Sequence, residues 1–97
     1  MSENSIFSGQ NTIATSGAAE SLRDIAFRPC VVTIKALATN TGDIYIGNAD
    51  VTSANGFILG VGEEVTLFVD NANIDIYLDC EDSGDGVSFI GWSRIGT

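Results

Sequence analysis

The sequence predicts an all-β fold: a small antiparallel β-sandwich or jelly-roll-like barrel with an N-terminal arm. Two observations carry this expectation. Between Cys30 and Val69 the apolar residues recur with period two rather than 3.6, with Val32, Ile34 and Ala36 on one side of an extended chain and Ile44 and Ile46, then Val65, Leu67 and Val69, repeating the pattern. The runs are short, and Gly-, Asn- and Asp-rich turn chemistry separates them.

Taken in order, residues 1–13 read as a docking arm, polar and Gly-containing but interrupted by Ile6, Phe7 and Ile13. Residues 14–97 read as a single β-sandwich domain. Residues 19–27 have the propensity of a short helix, but Leu22, Asp24 and Ala26 alternate with Arg23, Ile25 and Phe27 and the next run follows Arg28-Pro29 directly, so a strand is expected. Further strands are expected at 30–38, 43–47, 57–59, 64–70, 74–80 and 87–94. Their separators are Asn40-Thr41-Gly42, Ala54-Asn55-Gly56, Val61-Gly62-Glu63, Asp70-Asn71-Ala72-Asn73 and Ser83-Gly84-Asp85-Gly86. Ile44-Tyr45-Ile46 before Asn55-Gly56-Phe57 echoes Ile76-Tyr77-Leu78 before Asp85-Gly86-Val87, which reads as two similar hairpins.

At 97 residues the chain suits one domain with one core. Apolar residues make up 44% and charged residues 18%, a small charged share for a surface this large, which points to closure of apolar surface in an assembly or to a surface of Ser, Thr and Asn. The net charge is −9, and the four basic residues, Arg23, Arg28, Lys35 and Arg94, cannot be assembled into a patch. Binding to nucleic acid or to an anionic membrane is therefore not expected, since both require clustered cations. The polar, acidic start Met1-Ser2-Glu3-Asn4-Ser5 lacks the basic-then-apolar character of a secretion signal, and no apolar run approaches the roughly 18 residues of a membrane span. The protein is expected to be made in the cytosol.

There is no histidine, which removes the commonest general base, the Ser-His-Asp and Cys-His arrangements, and imidazole metal sites. No enzyme is expected, with no catalytic residue, no metal ligand and no cofactor. Asp79, Glu81, Asp82 and Asp85 form the one carboxylate cluster. Laid on the Ca²⁺-loop pattern from Asp79, it has Ile90 where a bidentate Glu is required, so it reads as a solvated turn at a hairpin tip, with a looser oxygen-ligand Ca²⁺ site as the alternative. Cys30 and Cys80 lack metal or redox spacing and read as two buried thiols or as a disulfide between neighbouring strands. Phe57, Phe68 and Phe89 lie in apolar runs and are expected in the core. Tyr45 and Tyr77 share the outward register of their strands, which suits cross-strand packing or an exposed aromatic pair. With Ile6 and Phe7 they are the candidate interface residues.

The stretch Val32-Thr33-Ile34-Lys35-Ala36-Leu37, Asn40-Thr41-Gly42, Ile44-Tyr45-Ile46-Gly47, Val51-Thr52-Ser53 and Asn55-Gly56-Phe57 resembles small virion proteins of tailed bacteriophages. It continues to Gly62-Glu63, Val69-Asp70-Asn71 and the late segment Gly84 to Val87. The resemblance implies a β-sandwich subunit on the virion, often a homotrimer, that decorates the capsid as a cement protein and contacts the major capsid protein or other virion proteins. A tail-associated structural protein and a host-surface or carbohydrate-binding adhesin are the alternatives it leaves open.

Overall fold

A computed structural model of the chain describes residues 3–22, 30–69 and 76–95. Among the described residues eight strands make up two four-stranded antiparallel sheets, and there is no helix. The strands are β1 (Glu3–Thr12), β2 (Glu20–Ser21), β3 (Cys30–Ala36), β4 (Ile44–Gly47), β5 (Phe57–Leu59), β6 (Glu64–Val69), β7 (Tyr77–Cys80) and β8 (Gly86–Ile95). The first sheet has the order β1-β8-β3-β6 and the second β2-β7-β4-β5.

The pairing has one logic. The first strand pairs with the eighth, the second with the seventh, the third with the sixth and the fourth with the fifth. The chain is thus one long hairpin, bent at residues 48–56, wrapped until β8 also meets β3 and β7 also meets β4. This is the strand order of a jelly roll, in which the two halves of the hairpin separate into facing sheets.

Period-two side chains fill the space between the sheets. Phe7 from β1, Val32, Ile34 and Ala36 from β3, Val69 from β6 and Val87 and Phe89 from β8 face Ile44 and Ile46 from β4, Leu59 from β5 and Leu78 and Cys80 from β7. The Phe7 and Phe89 rings stand 6.3 Å apart at 53°, a tilted contact of the kind aromatic quadrupoles favour. Gly91 makes room for this stack: a Cβ there would lie 2.5 Å from the Phe7 ring and 2.6 Å from the Val31 carbonyl oxygen. The expected runs at 30–38, 43–47, 57–59, 64–70, 74–80 and 87–94 coincide with β3 to β8 to within a few residues.

Three expectations are corrected. Residues 3–12, expected as a docking arm, are paired within the chain itself. They form the edge strand of the first sheet, with Phe7, expected at an interface, 8% exposed in the core. The echo of two hairpins is real only in its first half: β4 and β5 pair, whereas residues 81–85 carry the chain from β7 in one sheet to β8 in the other. Phe57 and Phe68, expected in the core, are 57% and 69% exposed, and only Phe89 of the three is buried. Of the strand expected at 19–27, Glu20 and Ser21 are paired with β7, and its second half lies outside the described residues, as does the turn at 70–73.

Candidate functional site

Two regions of the surface concentrate chemistry: the acidic end of the sandwich and the outer face of the first sheet.

At the acidic end the connections 13–19, 37–43 and 81–85 meet, and their carboxylates are taken up by backbone amides. Asp85 Oδ2 accepts from the Thr41 and Gly42 N–H groups at 3.0 and 2.9 Å. Asp79 Oδ1 accepts from the Gly17 and Cys80 N–H groups at 2.9 and 2.8 Å. Asp82 accepts from the Thr41 hydroxyl at 2.8 Å, and Glu81 from the Asp43 N–H at 3.1 Å. Asn40 copies a strand partner: its side-chain amide donates to the Gly86 carbonyl and its carbonyl oxygen accepts from the Gly86 N–H. Gly84 closes the 81–85 turn at φ 92°, a conformation that favours glycine. Asp79 and Asp85 are buried, so the cluster is not the water-exposed turn its sequence suggests. Among the described residues no group of three or more Asp, Glu, Cys or His side chains is arranged to hold a metal ion.

The Tyr45 hydroxyl, beside this region, is pushed above its ordinary value by desolvation first, and then by the carboxylates of Glu81, Asp43, Asp79 and Asp82. Tyr45 lies opposite Asp79 and Ile58 on the outer face of the second sheet, and Tyr77 is opposite Gly47. The shared outward register holds, but Tyr45 is only 8% exposed, so the two rings do not form an exposed pair. The 48–56 connection folds over this face, with Val51 packed where Gly47 and Gly56 leave space. Cys80 is a free buried thiol, pushed up to about 11 by desolvation and then by Asp79, Asp85, Asp82 and Glu20.

The outer face of the first sheet is different in kind. Because successive side chains alternate sides, the register stacks Ile6 beside Trp92, Trp92 beside Val31 and Val31 beside Phe68, an apolar row crossing all four strands. The next row is Ser8, Ile90, Thr33 and Thr66, where the two threonine hydroxyls are hydrogen-bonded at 2.8 Å. The third is Gln10, Ser88, Lys35 and Glu64, in which Lys35 and Glu64 are direct cross-strand partners. Ile6 is 75% exposed, Phe68 69%, Ile90 55% and Trp92 45%. Between them runs a groove of about 390 Å³ lined by Ile6, Val31, Thr33, Ile90, Gly91 and Trp92.

These three rows carry one Lys and one Glu in a chain whose net charge is −9. An apolar, aromatic-bearing, charge-depleted centre with a polar margin is the composition of a contact surface rather than of a solvated one. Of the four candidate interface residues, Ile6 lies on this face, Phe7 is in the core behind it, and Tyr45 and Tyr77 are on the opposite sheet. Val31, Phe68, Ile90 and Trp92 went unrecognised in the sequence. Their signal is a break in alternation, since Val31-Val32, Leu67-Phe68-Val69 and Phe89-Ile90 put apolar residues on both phases of their strands.

No family model matches the chain, and no curated protein or solved structure matches it.

Proposed function

We propose that the chain is a structural virion protein of a tailed bacteriophage, a cement subunit that decorates the head shell and docks through the outer face of its first sheet. The observation that supports docking is the Ile6–Trp92–Val31–Phe68 row with Ile90 behind it, exposed except at the half-buried Val31 and free of net charge on an otherwise acidic protein. The virion assignment rests on the resemblance in strand and turn chemistry. A homotrimer is the assembly which that resemblance carries with it, and the number of copies is a separate matter from the face they use. An adhesin built on an exposed Tyr45–Tyr77 pair has less support, because Tyr45 is buried.

Docking of this kind strengthens a shell by removing apolar surface from water across neighbouring subunits, at roughly 25 cal/mol per Å². A centrally placed aromatic carries a disproportionate share, commonly 2 kcal/mol or more on truncation. The test measures occupancy on purified particles lacking the protein. The double variant Trp92→Ser with Ile90→Ser is expected to keep its circular dichroism and lose at least about tenfold in affinity, because both side chains already face solvent in the free protein. Wild-type occupancy by that variant, or retention of the wild type on host glycans and not on shells, would overturn the reading.

A further inference from the structure

The first sheet ends on a strand built to be paired. β1 runs ten residues, Glu3 to Thr12, in unbroken register with β8. Proteins blunt exposed edges with short strands, lysine, proline or bulges. β1 has none of these, whereas the edge strands of the second sheet, β2 and β5, are two and three residues long.

The direction of its hydrogen bonds follows from two contacts. The Ile13 N–H donates to the Asp85 carbonyl, which continues the β1–β8 ladder and assigns the odd-numbered residues of β1 to β8. The Leu37 N–H donates to the Gly86 carbonyl, so the even-numbered residues of β8 serve β3, as that assignment requires. The backbone groups of Asn4, Ile6, Ser8, Gln10 and Thr12 therefore point out of the sheet, and among the described residues no strand pairs with them. The most exposed large apolar side chain of those residues, Ile6 at 75%, stands on this same edge.

We infer that β1 pairs antiparallel with β1 of a second copy of this chain, about a two-fold axis perpendicular to the sheet, joining two four-stranded sheets into one of eight. The occupant is a second copy for two reasons. A strand edge is complementary to itself when inverted, so the contact closes as a dimer with no other surface needed. The strand also carries a single charge, Glu3 at its end, so two chains of net charge −9 meet here without bringing carboxylates together at the axis.

This axis leaves both outer faces on the same side, so the two apolar rows form one extended surface, and Ile6 is flanked by the partner's strand. The pairing does not depend on the virion reading. If that reading holds as well, the dimer docks bivalently. A ring of three would need a heterologous contact that this edge does not supply by itself.

The experiment uses the full-length chain in analytical ultracentrifugation, with amide exchange as a second readout. Wild type is expected to pass from monomer to dimer with concentration, and the Ile6, Ser8 and Gln10 amides are expected to gain protection as it does. Ser8→Glu and Ser8→Lys each place like charges near the axis, and each is expected to weaken dimerisation at least tenfold. An equimolar mixture of the two is expected to recover the dimer as a heterodimer, which loss of folding would not do. A monomer throughout, a trimer, or Ser8 variants that associate like wild type would overturn the inference. Shell occupancy of Trp92→Ser with Ile90→Ser is scored separately, so failure of docking and failure of pairing are distinguishable.

Discussion

The buried carboxylates show how much a single side chain contributes here. Asp85 ties the 37–43 connection to the start of β8 through two backbone amides, and removing that side-chain acceptor strands both donors. Asp85→Ala is expected to cost about 2–3 kcal/mol, which in a domain of this size lowers Tm by about 10 °C or more. Asp82→Asn, at an exposed position, is expected to change Tm by only a degree or two, and thermal melts of the two variants decide between a structural and a solvated turn. Cys80 sets an alkaline limit. Its thiol is pushed from 9.0 to about 11 in the fold, so the unfolded chain loses the proton first. The thiol's contribution is complete below about pH 9 and is lost as pH rises to about 11, on the order of 2–3 kcal/mol. Denaturation with urea across that range should show the fall, and Cys80→Ala should flatten it. Tyr45, also shifted upward, is expected to leave part of the slope in place.

At the scale of elements, β1 separates two roles that sit side by side in the sequence. Phe7 faces inward onto Phe89, whereas Ile6 faces outward beside Trp92. Phe7→Ala is expected to destabilise by about 3–5 kcal/mol, and Ile6→Ser by well under 1 kcal/mol. Removing residues 2–10 is expected to unfold the domain rather than to release an appendage, because it uncovers Phe89 and leaves the long strand β8 with one partner in place of two. Circular dichroism and urea midpoints of the three variants test this ordering. Native-like stability of the truncated chain would return β1 to the status of an arm. The period-two runs and turn residues made β3 to β8 legible in the sequence. β1 was not, because Ser5, Ser8, Gly9, Gln10 and Asn11 dilute its alternation and its inward phase includes Gly9 and Asn11, which carry no apolar signal.

At the scale of the molecule, one carboxylate cluster and one apolar face stand apart among the described residues. Buried and exposed carboxylates gather around the 13–19, 37–43 and 81–85 connections, while the outer rows of the first sheet are neutral. A net charge of −9 on a small domain opposes compaction by self-repulsion. Raising NaCl from about 0.02 M to about 0.5 M, which shortens the screening length several-fold, is expected to raise Tm by a few degrees. A Tm that falls with salt would mean that attractive ion pairs dominate instead.

The sequence alone determined that the protein is all-β, which residues form six of the eight described strands, that it contains no histidine and that basic residues are few. Those properties are local or compositional: period two follows from the pleat, turn residues from backbone sterics, and charge from counting. The tertiary structure decided the rest. Strand order, the placement of Phe7 in the core and Ile6 outside it, the burial of Tyr45, Asp79 and Asp85, and the row Ile6–Trp92–Val31–Phe68 all depend on register between strands far apart in the chain. A one-residue slip in that register turns every side chain of a strand to the other face, and the long-range pairing that sets it has no signature in any local stretch of residues.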